Sequence, residues 1–194
     1  MVKADPPPVS PWNVANVVTV ARIFLVPVFA VVVVLSEMEH SGWRMLACLL
    51  FVFISATDFV DGWLARSRGL VTEFGKLADP IADKALIGTA LVLLSFYDAL
   101  PWWVTVVILV RELGITGLRM AVLKHAVIAA GRGGKLKTVL QIAAVAWYLW
   151  PWPEPLDVVG PWLMGAAVLL TVVTGMDYLW KAFKLKESES GRTR

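Results

Sequence analysis

Four aspartates between residues 58 and 83 are the side chains in this sequence best suited to chemistry. Asp58 and Asp61 are three residues apart, so on a helix they share one face. Asp79 and Asp83 are four residues apart and share a face in the same way. Converging carboxylates repel one another unless cations neutralise them, and Mg²⁺ and Mn²⁺ prefer such oxygen ligands. Since two such ions can clamp the attacking and leaving oxygens of a phosphoryl transfer, the spacing predicts a metal-assisted transferase site.

Small and basic residues follow the first aspartate pair. Gly62 lets a ligand approach the helix backbone closely. The small side chain of Ala65 leaves space on the same side of the helix, and Arg66 offers forked donors that suit a phosphate. A salt bridge between Arg66 and one acid is the ordinary alternative. That alternative does not explain four acids, because each carboxylate at membrane depth is costly.

Composition indicates that membrane-spanning helices must position these residues. The chain has 194 residues, of which 58% are hydrophobic and 17% charged, and its mean hydropathy is +0.71. These values are typical of a membrane protein rather than a soluble domain. A helix needs about 20 apolar residues to cross the bilayer. The sequence therefore predicts an all-α integral membrane bundle of six transmembrane helices, at 17–35, 43–64, 82–96, 101–122, 138–150 and 161–183.

The basic residues alternate along these six spans. Lys and Arg are concentrated in three segments, 66–84, 124–137 and 181–194. The opposite connections hold none: 36–42, 97–101 and 151–160. Because basic connections face the cytoplasm, both termini are predicted to be cytoplasmic. The chain then divides into an N-terminal cytoplasmic segment (1–16), one membrane domain (17–183) and a polar tail (184–194) whose last residues, 187–194, are expected to be disordered.

The acidic segment resembles a known family. Its pattern, D-x2-D-G-x2-A-R-x8-G-x3-D-x3-D, is similar to the signature of the CDP-alcohol phosphotransferases. Every spacing is met, by Asp58, Asp61, Gly62, Ala65, Arg66, Gly75, Asp79 and Asp83. Members of that family are six-helix integral membrane enzymes, and they often form homodimers, so the resemblance implies both properties here.

The resemblance also implies roles for individual residues. The four aspartates would hold two Mg²⁺ or Mn²⁺ ions, and Asp83 would also take the proton from the acceptor hydroxyl. The family reaction is attack of an alcohol on the β-phosphorus of a CDP-linked donor, with release of CMP. Residues expected to hold the donor are Gly62, Ala65, Arg66, Thr72 and Gly75.

A second element near the N-terminus resembles the family's N-x2-T-x2-R motif. Here it consists of Asn16, Thr19 and Arg22. The resemblance implies contact with the donor headgroup. An ordinary helix cap with an arginine at the membrane interface would give the same residues.

Basic residues in the second half of the chain bear on the acceptor. Arg111 and Arg119 are eight residues apart, roughly on one side of the fourth span, and Glu112 could pair with one of them. Lys135 and Lys137 lie in 131–141, which we interpret as a glycine-containing loop that leads, at Thr138 and Gln141, into the start of the fifth span. Together these residues predict a basic basin for a phosphorylated acceptor. Positive-inside topology and lipid headgroups are the alternative explanation for the loop charges.

The motif RE…GLR followed by GKxKTxxQ resembles the phosphatidylglycerophosphate synthase branch of the family. That branch joins CDP-diacylglycerol to glycerol-3-phosphate and yields phosphatidylglycerol phosphate and CMP. Inositol phosphate, or phosphatidylglycerol in a cardiolipin-forming reaction, stays open as the acceptor. The partners expected are these substrates, the lipid bilayer and a second copy of the chain, with no nucleic acid. The expected location is the inner (cytoplasmic) membrane, with the active site facing the cytoplasm.

Two other functions fit the sequence less well than this enzyme does. A cation transporter would carry acids along several helices near the bilayer centre, whereas here they gather at one face. A non-catalytic membrane partner would gain nothing from four costly carboxylates. Asp177 in the sixth span has no role in this scheme and could pair with a neighbouring Arg or Lys.

Overall fold

The computed structural model describes the backbone of residues 14–68, 73–122 and 132–190, and the side chains of 17–57, 81–82, 84–117, 134 and 136–181. Within those ranges the chain has six α-helices, one short 3₁₀ helix at Leu156–Val158 and no strand. This confirms the all-α prediction. The α-helices are α1 (Val14–Ser36), α2 (Ser41–Arg68), α3 (Glu73–Phe96), α4 (Trp102–Val122), α5 (Arg132–Leu149) and α6 (Val159–Ser190).

Each predicted span overlaps one helix, but α3, α5 and α6 extend well beyond the apolar stretch at one end. α3 begins at Glu73 rather than at residue 82, and α5 begins at Arg132 rather than at 138. The interpretation of the residues before 138 as a loop was therefore wrong for 132–137. α6 continues to Ser190, so the expectation of disorder was wrong for 187–190. Lys, Leu and Glu are good helix formers, and a helix does not have to end where its apolar stretch ends.

Within the part of the chain that the structure describes, two helical segments are long and apolar enough to cross a membrane. They are Val17–Ser36, with mean hydropathy 2.7, and Leu156–Lys181, with mean hydropathy 1.9. Only 33% and 22% of their most apolar windows are buried inside the protein, which is unlike the core helix of a soluble protein. Shorter apolar helical segments are Ser41–Thr57, Lys84–Phe96 and Leu136–Leu149.

The chain divides into two compact units, and the first comprises residues 1–93. In this unit α1 packs against α2. The rings of Phe29 and Phe51 meet with their centroids 5.7 Å apart, and both side chains are fully buried. Phe24 and Phe53 point outward and are 71% and 58% exposed, as expected for lipid-facing side chains.

The second unit comprises residues 94–194. Here α6 packs against both α4 and α5. Small residues permit the close α5–α6 contact, since Ala144 and Ala167 are both fully buried. A hydrogen bond of 2.7 Å between the hydroxyls of Ser95 and Thr105 fixes the turn that leads into α4. The packing brings three helices together, and these three helices carry the polar residues discussed below.

Candidate functional site

The four predicted metal-binding aspartates lie on the helix pair α2 and α3. Asp61 is seven residues from the last residue of α2, and Asp79 is six residues from the first residue of α3. Asp58 and Asp83 are each ten residues from the same two ends. At about 1.5 Å per residue, Asp61 and Asp79 lie about 9–10 Å along the helix from these ends, and Asp58 and Asp83 lie about 15 Å from them. Asp61 and Asp79 are thus at similar distances from the α2–α3 connection, and so are Asp58 and Asp83.

The side chains of this segment lie outside the described part of the structure. This applies to Asp58, Asp61, Gly62, Ala65, Arg66, Gly75, Asp79 and Asp83, and Thr72 lies in the gap 69–72. Among the side chains that are described, no group of three or more metal-binding residues occurs. The donor set itself, four carboxylates placed on two consecutive helices, has the oxygen chemistry that Mg²⁺ and Mn²⁺ require.

The N-terminal motif lies on α1. Thr19 and Arg22 are buried, at 2% and 1% exposure, and the side chain of Asn16 is outside the described range. Because α1 begins at Val14, Asn16 is the third residue of the helix and not its cap. Burial of Arg22 is also unlike an arginine that extends to the membrane interface. Both observations go against the ordinary alternative for this motif.

A polar cluster connects α4, α5 and α6 in the second unit. Its members are Arg111, Glu112, Lys137, Gln141, Thr171 and Thr174. At its centre, one carboxylate oxygen of Glu112 accepts hydrogen bonds from two cations. Nη1 of Arg111 donates to this Oε1 at 3.1 Å, and Nζ of Lys137 donates to it as well. Glu112 therefore pairs with Arg111, as the sequence suggested, and also with a lysine of another helix.

Two mostly buried cations make this polar cluster suited to an anionic ligand. The side chains of Arg111, Glu112 and Lys137 are 17%, 17% and 6% exposed. Arg111 and Lys137 both carry charged N–H donors, which can bind a phosphate, and such hydrogen bonds are stronger where water is largely excluded.

Hydrogen bonds extend the polar cluster onto α6. Nη2 of Arg111 donates to Oγ1 of Thr174 at 2.9 Å, and Nε2 of Gln141 donates to Oγ1 of Thr171 at 3.0 Å. Both threonine hydroxyls in turn donate to carbonyl oxygens one turn earlier on α6. Thus α6 holds side chains of α4 and α5 in place.

The predicted acceptor residues are only partly visible in this arrangement. The structure brings Arg111 and Lys137 together through Glu112. Arg119 lies on α4 and Lys135 on α5, but their side chains are outside the described ranges. Lys135 and Lys137 lie in the first turns of α5, not in a loop.

Sequence patterns alone did not identify the α6 contribution. Thr171, Thr174 and Gly175 lie in a mostly apolar span, and their polarity or small size was the available signal. Gly175 also lines an apolar groove of about 650 Å³ between α4 and α6, with Arg111, Gly114 and Met176 among the other lining residues. Asp177, which had no assigned role, pairs with Lys181 at 2.6 Å, so the suggestion of a basic neighbour is confirmed.

Comparison with known proteins gives this arrangement its context. The family model described as CDP-alcohol phosphatidyltransferase matches residues 12–173. The chain belongs to this family. It is therefore a transferase of phospholipid biosynthesis, and the resemblance derived from the aspartate signature is confirmed. The matched residues include the two helices that carry the aspartates, α2 and α3, and the two helices that carry Glu112 and Lys137, α4 and α5.

Several relatives in the family are similar over most of their length. A protein of Mycobacterium tuberculosis strain H37Rv named probable phosphatidylglycerophosphate synthase is 49% identical over 172 residues, which cover 89% of this chain and 82% of the relative. CDP-diacylglycerol–glycerol-3-phosphate 3-phosphatidyltransferase of Bacillus subtilis is 37% identical, with 89% and 98% covered. The Rickettsia typhi protein of the same name is 40% identical, with 89% and 97% covered.

Proposed function

We propose that this protein transfers a phosphatidyl group from CDP-diacylglycerol to glycerol-3-phosphate, giving phosphatidylglycerol phosphate and CMP. The names and close similarity of the family relatives support the pair of substrates. The observation that carries the acceptor assignment is the polar cluster, in which Arg111 and Lys137 share a single carboxylate. A phosphorylated acceptor could bind to the charged N–H donors of these two side chains.

The first unit, which includes most of α3, carries the residues proposed to bind the donor. Asp58, Asp61, Asp79 and Asp83 would hold two divalent ions, Mg²⁺ or Mn²⁺, which when bound neutralise the pyrophosphate and polarise its phosphorus–oxygen bonds. The matched distances of the aspartates from the α2–α3 connection support this ligand set, because helices that return on each other would bring equal distances to one level.

Further residues of the first unit are proposed to hold the CDP group. On α2 and α3 they are Gly62, Ala65, Arg66 and Gly75, with Thr72 between the helices. On α1 they are Asn16, Thr19 and Arg22. Burial of Thr19 and Arg22 supports a role inside the protein rather than at its lipid surface. The acyl chains of the donor would stay in the bilayer.

Asp83 is proposed as the base that starts the chemical step. It takes the proton from the primary hydroxyl of glycerol-3-phosphate while that oxygen forms a bond to the β-phosphorus of the donor. The bond between the β-phosphorus and the oxygen that bridges to CMP breaks, and CMP leaves with the electron pair. Arg111, Arg119, Lys135 and Lys137 bind the phosphate of the acceptor and so orient its hydroxyl.

The proposed setting is a membrane. Two helical segments satisfy the length and hydropathy required for a span, and we propose that all six helices cross the bilayer. The basic connections place both termini and the active site on the cytoplasmic side of the inner membrane. We further propose a homodimer, which is the usual state in the family.

Competition between acceptors tests the proposed reaction. The purified protein, in detergent with CDP-diacylglycerol and Mg²⁺, receives glycerol-3-phosphate, inositol phosphate and phosphatidylglycerol at equal concentrations. We expect the mass of the lipid product to be that of phosphatidylglycerol phosphate. A dominant inositol-phosphate lipid or cardiolipin would keep the chemistry and overturn the acceptor. Cation flux through liposomes without CMP release would overturn the enzyme itself.

A further inference from the structure

Two neighbouring residues of α6 contact the Arg111 side chain at different points. Oγ1 of Thr174 accepts a hydrogen bond from Nη2 of Arg111 at 2.9 Å. A Cβ atom at Gly175 would lie 3.1 Å from Cγ and 3.2 Å from Nε of Arg111. The stem of Arg111 therefore lies directly on the α6 backbone, and the missing side chain at Gly175 makes room for it.

The hydroxyl of Thr174 is oriented to receive this arginine. It donates its own proton to the carbonyl oxygen of Leu170 at 2.6 Å. A hydroxyl whose proton is used in this way presents a lone pair to other donors. On the opposite side, Nη1 of Arg111 is held by Glu112 at 3.1 Å. The guanidinium group is thus fixed between α4 and α6.

We infer that Thr174 and Gly175 are positioning residues for the acceptor phosphate and that they act through Arg111. The inference rests on the proposed acceptor role of Arg111. A guanidinium that is already held in place loses less conformational freedom when it binds a phosphate, so binding is tighter. Both residues follow the last position matched by the family model, which ends at residue 173.

A merely structural role for these residues predicts a different result. If Thr174 and Gly175 only helped α4 pack against α6, their substitution would lower stability and change the kinetics of both substrates together. A positioning role instead predicts that the KM for glycerol-3-phosphate rises while the KM for CDP-diacylglycerol does not. The two substrates therefore provide an internal comparison.

Substitution of Gly175 tests the contact with the backbone. In Gly175→Ala, Arg111 must move by a few tenths of an ångström, and in Gly175→Val by more. We expect the KM for glycerol-3-phosphate to rise about threefold and about tenfold, which corresponds to the loss of part or most of a charged hydrogen bond. Alanine is the better helix former, so α6 itself should not weaken.

Gly165 provides the matched control on the same helix. Apart from its chain neighbours and the nearby backbone of α6 itself, no described atom lies within 4 Å of a Cβ built at Gly165, and this position is exposed. Gly165→Ala and Gly165→Val should therefore leave both KM values unchanged. If the control variants raise the acceptor KM as much as the Gly175 variants do, the effect comes from α6 in general and the inference is wrong.

Substitution of Thr174 tests the hydrogen bond separately. Thr174→Val keeps the shape but removes the acceptor oxygen, so the KM for glycerol-3-phosphate should rise about fivefold to tenfold. Thr174→Ser restores the oxygen and should return the KM close to the wild-type value. Failure of serine to rescue would contradict a role through the hydroxyl. The Thr174→Val and Thr174→Ser variants still test the inference if the Gly175 variants do not fold.

A double-mutant cycle with Arg111→Ala separates this inference from the proposed function. If Arg111→Ala leaves the acceptor KM unchanged, the acceptor assignment of Arg111 fails, and the inference fails with it. If Arg111→Ala raises the acceptor KM but neither the Gly175 variants nor Thr174→Val does, the inference alone fails. We expect that adding Gly175→Val to Arg111→Ala causes no further rise, because both act on the same guanidinium.

Discussion

Asp83 differs from the other aspartates in the role proposed for it, because it would move a proton as well as bind a metal. It lies on the third turn of α3, one helical turn after Asp79, so the two positions share a face of the helix. The proton-accepting role of this carboxylate is needed only in the chemical step, and the other three aspartates would still hold the metal ions. Its loss should therefore affect turnover more than donor binding.

Replacement of Asp83 by asparagine tests this separation at the residue scale. In Asp83→Asn we expect kcat to fall about 100-fold to 10,000-fold, as for the loss of a general base, while CDP-diacylglycerol still binds. Steady-state CMP release and binding of radiolabelled donor measure the two quantities. Asp177→Asn is the control, since Asp177 is exposed and pairs only with Lys181 among the described residues. Normal turnover in Asp83→Asn would contradict the assignment.

Glu112 gives a second prediction at this scale. Its carboxylate is mostly buried and neutralises part of the charge on Arg111 and Lys137. Glu112→Gln leaves two buried cations without that charge, so we expect a loss of about 3–5 kcal/mol in the free energy of unfolding. The thermal unfolding midpoint in detergent should fall by several degrees. An unchanged midpoint would show that the three side chains do not depend on one another.

The exposed ion pair provides the control for Glu112. Asp177 and Lys181 are 55% and 51% exposed, and an exposed pair is worth about 0–1 kcal/mol. Asp177→Asn should therefore lower the unfolding midpoint by no more than about 2–4 °C, well below the loss expected for Glu112→Gln. If both variants lose the same stability, burial is not what makes the Glu112 cluster important.

Helices were easier to predict than the contacts between them. Hydropathy located every helix, because long apolar stretches must form helices in a bilayer. It misplaced the starts of α3 and α5, because polar residues such as Glu73 and Arg132 belong to the helix without being apolar. The contact between the Arg111 side chain and the backbone at Gly175 could not be predicted, since it depends on how α4 and α6 pack.

Packing of α6 gives a prediction at the element scale. Ala167 is fully buried, in the helix that packs against α5, and the next residue back, Ala166, is exposed. Ala167→Leu forces extra atoms into a close contact and should cost about 1–3 kcal/mol of stability. Ala166→Leu adds the same atoms on the exposed face and should cost less than about 0.5 kcal/mol. Thermal unfolding of both variants in detergent checks this, and equal losses would contradict the packing.

The distribution of basic residues gives a prediction for the orientation of the whole molecule. Under the positive-inside rule, we expect the connections near residues 39 and 154 on the outer side of the membrane and the C-terminus on the cytoplasmic side. In a Cys48→Ser background, single cysteines at Glu39→Cys and Glu154→Cys should react with a membrane-impermeant maleimide in intact spheroplasts. Arg192→Cys should react only after permeabilisation. The reverse pattern would place the active site on the wrong face for a cytoplasmic phosphorylated acceptor.

Coupling between CMP release and acceptor consumption tests the central claim most directly. In the purified protein with CDP-diacylglycerol and Mg²⁺, we predict that CMP appears only when glycerol-3-phosphate is present. One phosphatidylglycerol phosphate should then form for each CMP. Removal of the metal with EDTA should stop both, and Mg²⁺ or Mn²⁺ should restore both. CMP release at an equal rate without any acceptor would mean that the protein hydrolyses its donor, which contradicts the account.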